Sequence, residues 1–512
     1  MNGKSVHFIG IGGAGMSALA RYFLSQNWDV SGSDLAESPI TAELRKEGVK
    51  VKIGQKKSNI RAGMALAVYS QAIRPDNPEL KEARRYGIQT LSYPEEIGEL
   101  TRQYKTITVS GAHGKSTTTA LSALILEKGG FDPTVIVGAN LKEFGGKNFR
   151  KGKCSPSELL SISRKSSDGE YLVLEADEFG RAFLHYSPAC AIITNIDREH
   201  LDTYKNLADI KKTFLRFLAN IRDGGTAIIN RDDKNCHSLK EKIAALARRK
   251  NLKVIWYSLR DSAAKKIKEI IQIPGEHNVS NSLAAYYLGQ SLEIPEKNIL
   301  AAIGAYRGAS RRMEYRGELK ATLLCHPREG EDSRFKNLKV SVYDDYAHHP
   351  AEIKATLRAF REKFPKAKII CMFQPHQARR LAALFKEFKN AFDSADSTII
   401  LPLYKVPGRD EESILDSEAL VRAIQKRRPK RQVFYLNDPK KLKDALNPLL
   451  ACSGMKNYCC LRNPSKFEAE LKTKNKRHKQ IILVMMGAGN IVQYTDELLK
   501  EKNNYIFADT AY

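Results

Sequence analysis

The sequence predicts an α/β protein of three domains built on mostly parallel sheets. Two observations carry this. First, one kind of unit, a strand-like run feeding a glycine turn and then a helix pattern, occurs three times: Ser5–Ile9 before glycines 10–15, residues 106–109 before residues 111–115, and Ile481–Met486 before residues 487–490. Second, apolar runs of strand length alternate with amphipathic stretches of helix length, as at residues 171–174, 191–194, 226–229, 254–257 and 368–373. Such alternation is the pattern of parallel strands joined by helical crossovers. The length of 512 residues fits about three domains at roughly 150 residues each. The expected domains are residues 1–103, 104–313 and 314–512, with the first boundary just before the second glycine turn and the second near Arg312 to Gly317.

Composition narrows the class. Hydrophobic residues make up 42% and aromatics 8% of the chain, which suits a packed core rather than a disordered chain. No apolar run approaches the roughly 18 residues of a membrane span. The first residues run straight into a strand pattern, without the charged, apolar and small-residue regions of a signal peptide. A soluble cytoplasmic protein with no membrane partner is expected. The eight cysteines include no C-x-x-C pair, and the adjacent Cys459 and Cys460 are poorly placed for a disulfide, so reduced thiols are expected. The net charge of +26 raises the question of nucleic acid. The basic residues are scattered, however, and their densest cluster, residues 472–479, holds no aromatic ring for base stacking. It reads as a solvated surface, no nucleic-acid partner is expected, and small polyanionic substrates would suit the charge. Residues 147–168, 326–337 and 471–479 read as surface loops, being polar and aperiodic.

Taken in chain order, the first motif is Gly10-Ile11-Gly12-Gly13-Ala14-Gly15, a G-x-G-x-x-G turn. Asp34 follows it at the end of a second strand-like run. This spacing is the dinucleotide fingerprint, yet the same loop can hold the diphosphate of any nucleotide. The second is Ser110-Gly111-Ala112-His113-Gly114-Lys115-Ser116-Thr117. Backbone N–H groups at such a helix start cradle phosphate oxygens, Lys115 can reach the terminal phosphates, and the Ser116 hydroxyl can ligate Mg²⁺. The strict phosphate-loop pattern is broken by Val109, where its first glycine would stand.

Carboxylates follow at Glu175-Ala176-Asp177-Glu178, after a buried-looking strand, and His200 follows the next strand along the chain. In sheets of this class, the carboxyl ends of strands face the ligand crevice. His277, Asn278 and Asn281 lie one turn apart near a helix start, where amides either bond a base or cap the helix. Asp344-Asp345-Tyr346-Ala347-His348-His349-Pro350 gathers ionisable groups after another strand-like run. Two other classes stay open on these residues. An NAD(P)-dependent oxidoreductase would use the first loop but leave Lys115 and Glu178 without a role. A nucleic-acid-binding ATPase would leave residues 344–350 without one.

With these motifs in this order, the chain resembles the Mur ligase family nearly end to end. The resemblance runs through residues 10–17, 110–119, 175–178, 194–196, 200–204 and 275–281, then Arg311-Arg312, residues 344–350, Phe373-Gln374-Pro375-His376 and residues 487–490. It implies a Rossmann-like N-terminal domain, a central P-loop ATPase domain with a mostly parallel sheet, and a Rossmann-like C-terminal domain. It implies an ATP-dependent ligase joining UDP-N-acetylmuramate to L-alanine through an acyl phosphate, in peptidoglycan precursor synthesis, with ATP and Mg²⁺ as cofactors. A ligase adding a preformed peptide or a different amino acid is the alternative within the family.

By the same resemblance, Gly12, Gly13, Ala14, Gly15, Met16, Ser17 and Asp34 serve the UDP substrate. Gly111, Ala112, His113, Gly114, Lys115, Ser116, Thr117, His277, Asn278, Asn281, Arg312 and Asp345 serve ATP, and Ser116, Glu178 and His200 serve the metal. Lys115, Glu178 and His200 are the catalytic set, and Tyr346, His348, His376 and Arg380 form the amino-acid end. The chain departs from the family at Ala112 (usually threonine), Ala347 (usually glycine), Phe179-Gly180 (usually Ser-Asp) and Gln377 (commonly arginine). A charge-assisted pair to a carboxylate is stronger than an amide contact. Either Arg379 replaces the missing arginine or recognition of the amino-acid carboxylate is altered. The sequence leaves open the oligomeric state and which of His348 and His349 meets substrate.

Overall fold

The computed structural model describes residues 4–152, 171–200, 203–325, 334–404, 415–450, 480–500 and 505–509. They form three parallel-rich sheets. The first contains β1 (Ser5–Ile9), β2 (Asp29–Asp34), β3 (Lys50–Ile53), β4 (Leu66–Tyr69) and β5 (Gln89–Ser92) in the order β3-β2-β1-β4-β5, all parallel. This is the Rossmann order, and its switch point lies between β1 and β4. The glycine turn leaves β1 at that point, with Gly10 at a positive φ of 83° packed against Ser70 beyond β4.

The second sheet contains β6 (Lys105–Ser110), β7 (Thr134–Leu141), β8 (Lys147–Arg150), β9 (Tyr171–Glu175), β10 (Cys190–Ile193), β11 (Thr226–Asn230) and β12 (Lys253–Tyr257). Its order is β12-β11-β10-β6-β9-β7-β8, parallel except for the β7–β8 hairpin. Strand β6 is buried on both faces, Ile107 and Val109 on one and Thr106, Thr108 and Ser110 on the other, as a strand covered on both sides must be. The helix Lys115–Lys128 that follows it is buried over most of its circumference.

The third sheet contains β13 (Glu314–Cys325), β14 (Arg334–Asp345), β15 (Lys368–Phe373), β16 (Ser397–Ile400), β17 (Gln432–Tyr435), β18 (Ile481–Met486) and β19 (Tyr505–Asp509). Its order is β17-β16-β15-β18-β14-β13-β19, with only the β13–β14 pair antiparallel.

The chain packs as two compact units. One spans Met1–Ile273 with His277–Ser310, and the other spans Pro274–Glu276 with Arg311–Tyr512. The first two sheets share a unit because one apolar core runs through both. The ring of Tyr22, from the helix Ala14–Ser25, meets Tyr104 before β6 and Phe149 on β8, each at 6.4 Å between centroids.

Two stretches expected as loops are strands. Residues 147–150 form β8, which buries Asn148 and Phe149; four residues are too few to display a period of two. Residues 334–337 extend β14, held by backbone pairing to β13 from Asn337 opposite Thr322 to Arg334 opposite Cys325, a pairing set by the neighbouring strand and not by any local pattern. Residues 153–168, 326–333 and 471–479 lie outside the described residues. Among the described residues, no helix is long and apolar enough to cross a membrane.

Candidate active site

In the first unit, three neighbouring parallel strands aim their carboxyl ends at one place. Strand β6 delivers the turn at residues 111–115, β9 delivers Glu175 through Glu178, and β10 delivers Thr194 through His200. Because β6 lies between β9 and β10, acids arrive from one side of the glycine turn and the histidine from the other.

The turn is clamped from β10. The Thr194 hydroxyl donates to the His113 carbonyl at 2.6 Å, and the Asn195 side chain accepts from the His113 N–H at 2.9 Å. Gly111 has φ 138°, and a Cβ there would lie 2.2 Å from Thr194 Oγ1. Gly114 has φ 84°, and a Cβ there would lie 2.3 Å from Asn281 Oδ1. Both glycines are therefore required sterically and conformationally. Residues 112–115 stay partly open while Ser116 and Thr117 are buried.

Lys115 Nζ donates to the Gly111 carbonyl at 2.7 Å and meets Glu178 Oε2 at 3.1 Å and Asp177 Oδ1 at 3.8 Å. Burial alone would lower its proton affinity, but Glu178, Asp177 and Glu175 outweigh it and hold the ammonium charged well above the usual range. Glu175 is itself pushed up by burial. It accepts from Ser116 Oγ at 3.2 Å and from the Gly138 N–H at 2.8 Å.

His200 Nε2 lies 3.4 Å from Asp177 and 3.5 Å from Glu178. Burial opposes its charging, yet hydrogen bonds to these two acids raise its pKa to about 10. The residue sits at φ 52°, a conformation rare for a side chain with a Cβ and common at functional sites. Asp177, Glu178 and His200 bring one ligand atom each within 4.8 Å of one another. Three carboxylates here face the Lys115 ammonium and the protonated His200 ring, and a divalent cation would take the place of the His200 proton. Two oxygen donors and an imidazole fit a divalent cation. Glu175 and Asp177 thus enter the cluster although only Glu178 of the acidic run was singled out from the sequence; their signal was the run itself.

The structure brings Asn281 to the phosphate-type turn, against Gly114. Asn278 and Asn281 are both buried, and Ser282 donates to the Asn278 carbonyl. His277 opens the same helix, Glu276–Ser291.

Near β1, the Gly12 N–H donates to Asp34 Oδ2 at 2.8 Å, so the acid at the end of β2 braces the turn. Gly13 and Ala14 are exposed and Gly15 is half-buried, its Cα covered by Tyr93, whose ring would lie 2.7 Å from an added Cβ. Met16 and Ser17 are buried, and the Ser17 hydroxyl donates back to the Ala14 carbonyl at 2.9 Å.

In the second unit, strands β15, β18 and β14 are neighbours, and their carboxyl ends carry residues 374–380, 487–490 and 345–349. Asp345 accepts from the N–H groups of Met313 and Ala347, fixing both loops, while burial pushes its carboxyl up. Arg311 and Arg312 lie over the Tyr346 ring at 5.0 and 5.4 Å, and Arg312 reaches Glu352 at 3.5 Å.

His349 is buried and caps the helix Pro350–Lys363, accepting from the Ala351 N–H. His348 instead meets Tyr346 and His376, at 5.2 and 6.0 Å between rings. His376 stacks on Tyr404 at 5.6 Å, and Arg380 Nη1 lies 3.5 Å from His376 Nδ1. Arg380 is buried and Arg379 exposed. Gln377 opens the helix Ala378–Ala383 at φ 68°. Tyr346, His348, His376 and Arg380 therefore form one cluster, from which His349 is turned away.

Family models match the chain in consecutive blocks: "Mur ligase family, catalytic domain" over residues 5–105, "Mur ligase middle domain" over 109–289 and "Mur ligase, glutamate ligase domain" over 333–454. The chain is 35% identical over 508 residues to UDP-N-acetylmuramate–L-alanine ligase of Sulfurihydrogenibium sp. (strain YO3AOP1), covering 97% of each. Its fold is similar to that of UDP-N-acetylmuramate-alanine ligase from Thermotoga maritima, with TM-score 0.68 and 23% identity over 97% of this chain and 98% of that one. It is also similar to a murein peptide ligase from Psychrobacter arcticus 273-4, with TM-score 0.63 and 20% identity over 98% and 99%.

Proposed function

This chain belongs to the Mur ligase family, and from that premise we propose that it is an ATP-dependent ligase joining L-alanine to UDP-N-acetylmuramate through an acyl phosphate, in peptidoglycan precursor synthesis in the cytoplasm. The observation that carries the reading is the juxtaposition of Lys115 with Glu178, Asp177 and His200 at the end of three adjacent strands, in a chain 35% identical, end to end, to a ligase of that name.

In this reading residues 1–103 bind the UDP substrate, residues 104–313 bind ATP, and residues 314–512 bring the amino acid. The open N–H groups of Gly13, Ala14 and Gly15 face the substrate diphosphate, with Asp34 holding the turn. Residues 111–117 cradle the ATP phosphates, and His277, Asn278 and Asn281 take the adenine side, Asn281 also buttressing Gly114. Arg312 and Asp345 serve the nucleotide from the C-terminal part.

Glu178 and His200, with Asp177 beside them and Ser116 at the helix start, would hold Mg²⁺, which supplies charge neutralisation for the phosphates. The substrate carboxylate oxygen attacks the γ-phosphorus of ATP and ADP leaves, giving a mixed anhydride. Lys115, kept charged by its acidic neighbours, stabilises the transferring group. The neutral amine of alanine then attacks the acyl carbon, loses a proton, and expels inorganic phosphate to leave the amide. Tyr346, His348, His376 and Arg380 form the amino-acid end. The absence of an arginine at Gln377 favours a second reading, in which the acceptor is a different amino acid or a short peptide.

The test is phosphate release from Mg-ATP with UDP-N-acetylmuramate across single amino acids and short peptides, with product masses. Release requiring both UDP-N-acetylmuramate and L-alanine, with the ligated mass, is expected. Release with another acceptor moves the specificity, and release with none overturns the ligase reading.

A further inference from the structure

The first glycine turn is held from behind by a residue of the second sheet. Asn148 is 3% exposed and lies on β8, in the hairpin formed with β7. Its amide nitrogen donates to the Ala14 carbonyl at 2.7 Å and to Ser17 Oγ at 3.2 Å. Its amide oxygen accepts from Arg21 Nη1 at 2.6 Å. Arginine can only donate, so the orientation of the amide is fixed by chemistry. Arg21 is in turn locked by Glu47 at 2.8 Å and Glu43 at 3.0 Å, so the acceptor side of Asn148 cannot swing.

The other strand of the hairpin reaches the candidate ATP site. Gly138 on β7 donates its N–H to Glu175, whose second oxygen accepts from Ser116. One hairpin therefore touches both the helix start behind residues 12–15 and the carboxylate beside the phosphate-type turn.

We propose that Asn148 is a positioning residue for the nucleotide-linked substrate: its amide fixes the first turn of the helix Ala14–Ser25, and through it the direction in which the N–H groups of Gly13, Ala14 and Gly15 point. This rests on the reading that residues 12–17 hold the UDP substrate. The amide is anchored at two points on that turn and at a third on Arg21, so the helix start has no freedom to tilt or slide along β8. Loss of the donor would leave the loop intact but its N–H groups misdirected, and a displacement of under an ångström is enough to weaken a set of convergent hydrogen bonds.

The experiment is steady-state kinetics of the full chain with Asn148→Ala and Asn148→Asp, beside direct binding of UDP-N-acetylmuramate by calorimetry. Asn148→Asp keeps the size and the acceptor for Arg21 but turns a second acceptor toward the Ala14 carbonyl, so thermal unfolding of both variants is measured alongside to separate lost folding from lost positioning. Both variants are expected to raise KM and Kd for UDP-N-acetylmuramate at least about 5-fold, with KM for ATP and for L-alanine unchanged within about 2-fold, the pattern of lost ground-state positioning. A lowered melting temperature with all constants unchanged, or three KM values rising together, would overturn the proposal. Wild-type protein that neither binds UDP-N-acetylmuramate nor releases phosphate with it would overturn the underlying reading instead.

Discussion

Lys115 Nζ and Glu178 Oε2 stand 3.1 Å apart, the glutamate side chain only 2% exposed. The lysine opens the helix after β6 and the glutamate lies just beyond β9, so the pair ties two adjacent strand ends across the mouth of the site.

Lys115→Ala is expected to reduce ATP-dependent phosphate release by roughly 100-fold or more, since it removes a charge aimed at the transferring group. It also removes the nearer of two cationic partners from the buried Glu178 carboxylate, which costs stability. The double variant Lys115→Ala/Glu178→Gln should recover the lost melting temperature but not the turnover. Near-normal phosphate release by the single variant would remove the lysine from the mechanism.

Gly111→Ala should be among the most damaging single changes in the chain. It combines φ 138° with a Cβ placed 2.2 Å from Thr194 Oγ1 and 2.9 Å from the Asn195 carbonyl oxygen. Strained backbone of this kind costs roughly 1–3 kcal/mol, before the clash is counted. Thermal unfolding and nucleotide binding together check it. A variant that melts like wild type and binds ATP normally would mean that the turn has room to move.

Glu96 gives a pH signature. Burial, with Glu99 adding to it, raises its pKa to about 7 from the ordinary 4.5. The folded state thus binds more protons than the unfolded state between those two values, and stability falls as pH rises from about 4.5 to about 7. Glu96→Gln removes the penalty. It should stabilise the protein at pH 8 by roughly 1–3 kcal/mol and by nothing measurable near pH 4. Equal effects at both pH values would show that Glu96 titrates normally.

The amino-acid end can be tested residue by residue. Arg380→Ala should raise KM for L-alanine about 10-fold or more, as for a lost charge-assisted contact, while Arg379→Ala leaves it unchanged. Gln377→Arg should lower the same KM. If Gln377→Arg does nothing and Arg379→Ala raises KM, the exposed Arg379 turns inward to take the carboxylate.

Much of this was legible beforehand, for physical reasons. Strands β1, β15 and β18 begin and end where the sequence placed them, because buried parallel strands are continuous apolar runs bounded by turns. The turn at Gly111 and Lys115 was legible because Gly-Lys-Ser between a strand and a helix is a combination few other structures use. Asn148 was not, since it falls in a polar stretch of four strand residues and its partners lie more than 120 positions away in sequence. The Thr194 and Asn195 clamp was also hidden: which strand would flank β6 is a matter of topology, not of local pattern. His349 looked interchangeable with His348 until the helix start assigned one to capping and the other to the ring cluster.

The placement of β6 between β9 and β10 has a consequence for how such a chain can change over generations. The connection from β8 enters β9 at Tyr171, the end of that strand opposite Glu175. The register of β9 with β6, from Tyr171 opposite Lys105 to Glu175 opposite Val109, does not depend on how many residues precede Tyr171. The lysine, the acids and the histidine keep their mutual spacing, because it is measured in strand widths of about 4.8 Å rather than in residues. The chemical ruler is thus set by the order of the strands and not by the number of residues that join them.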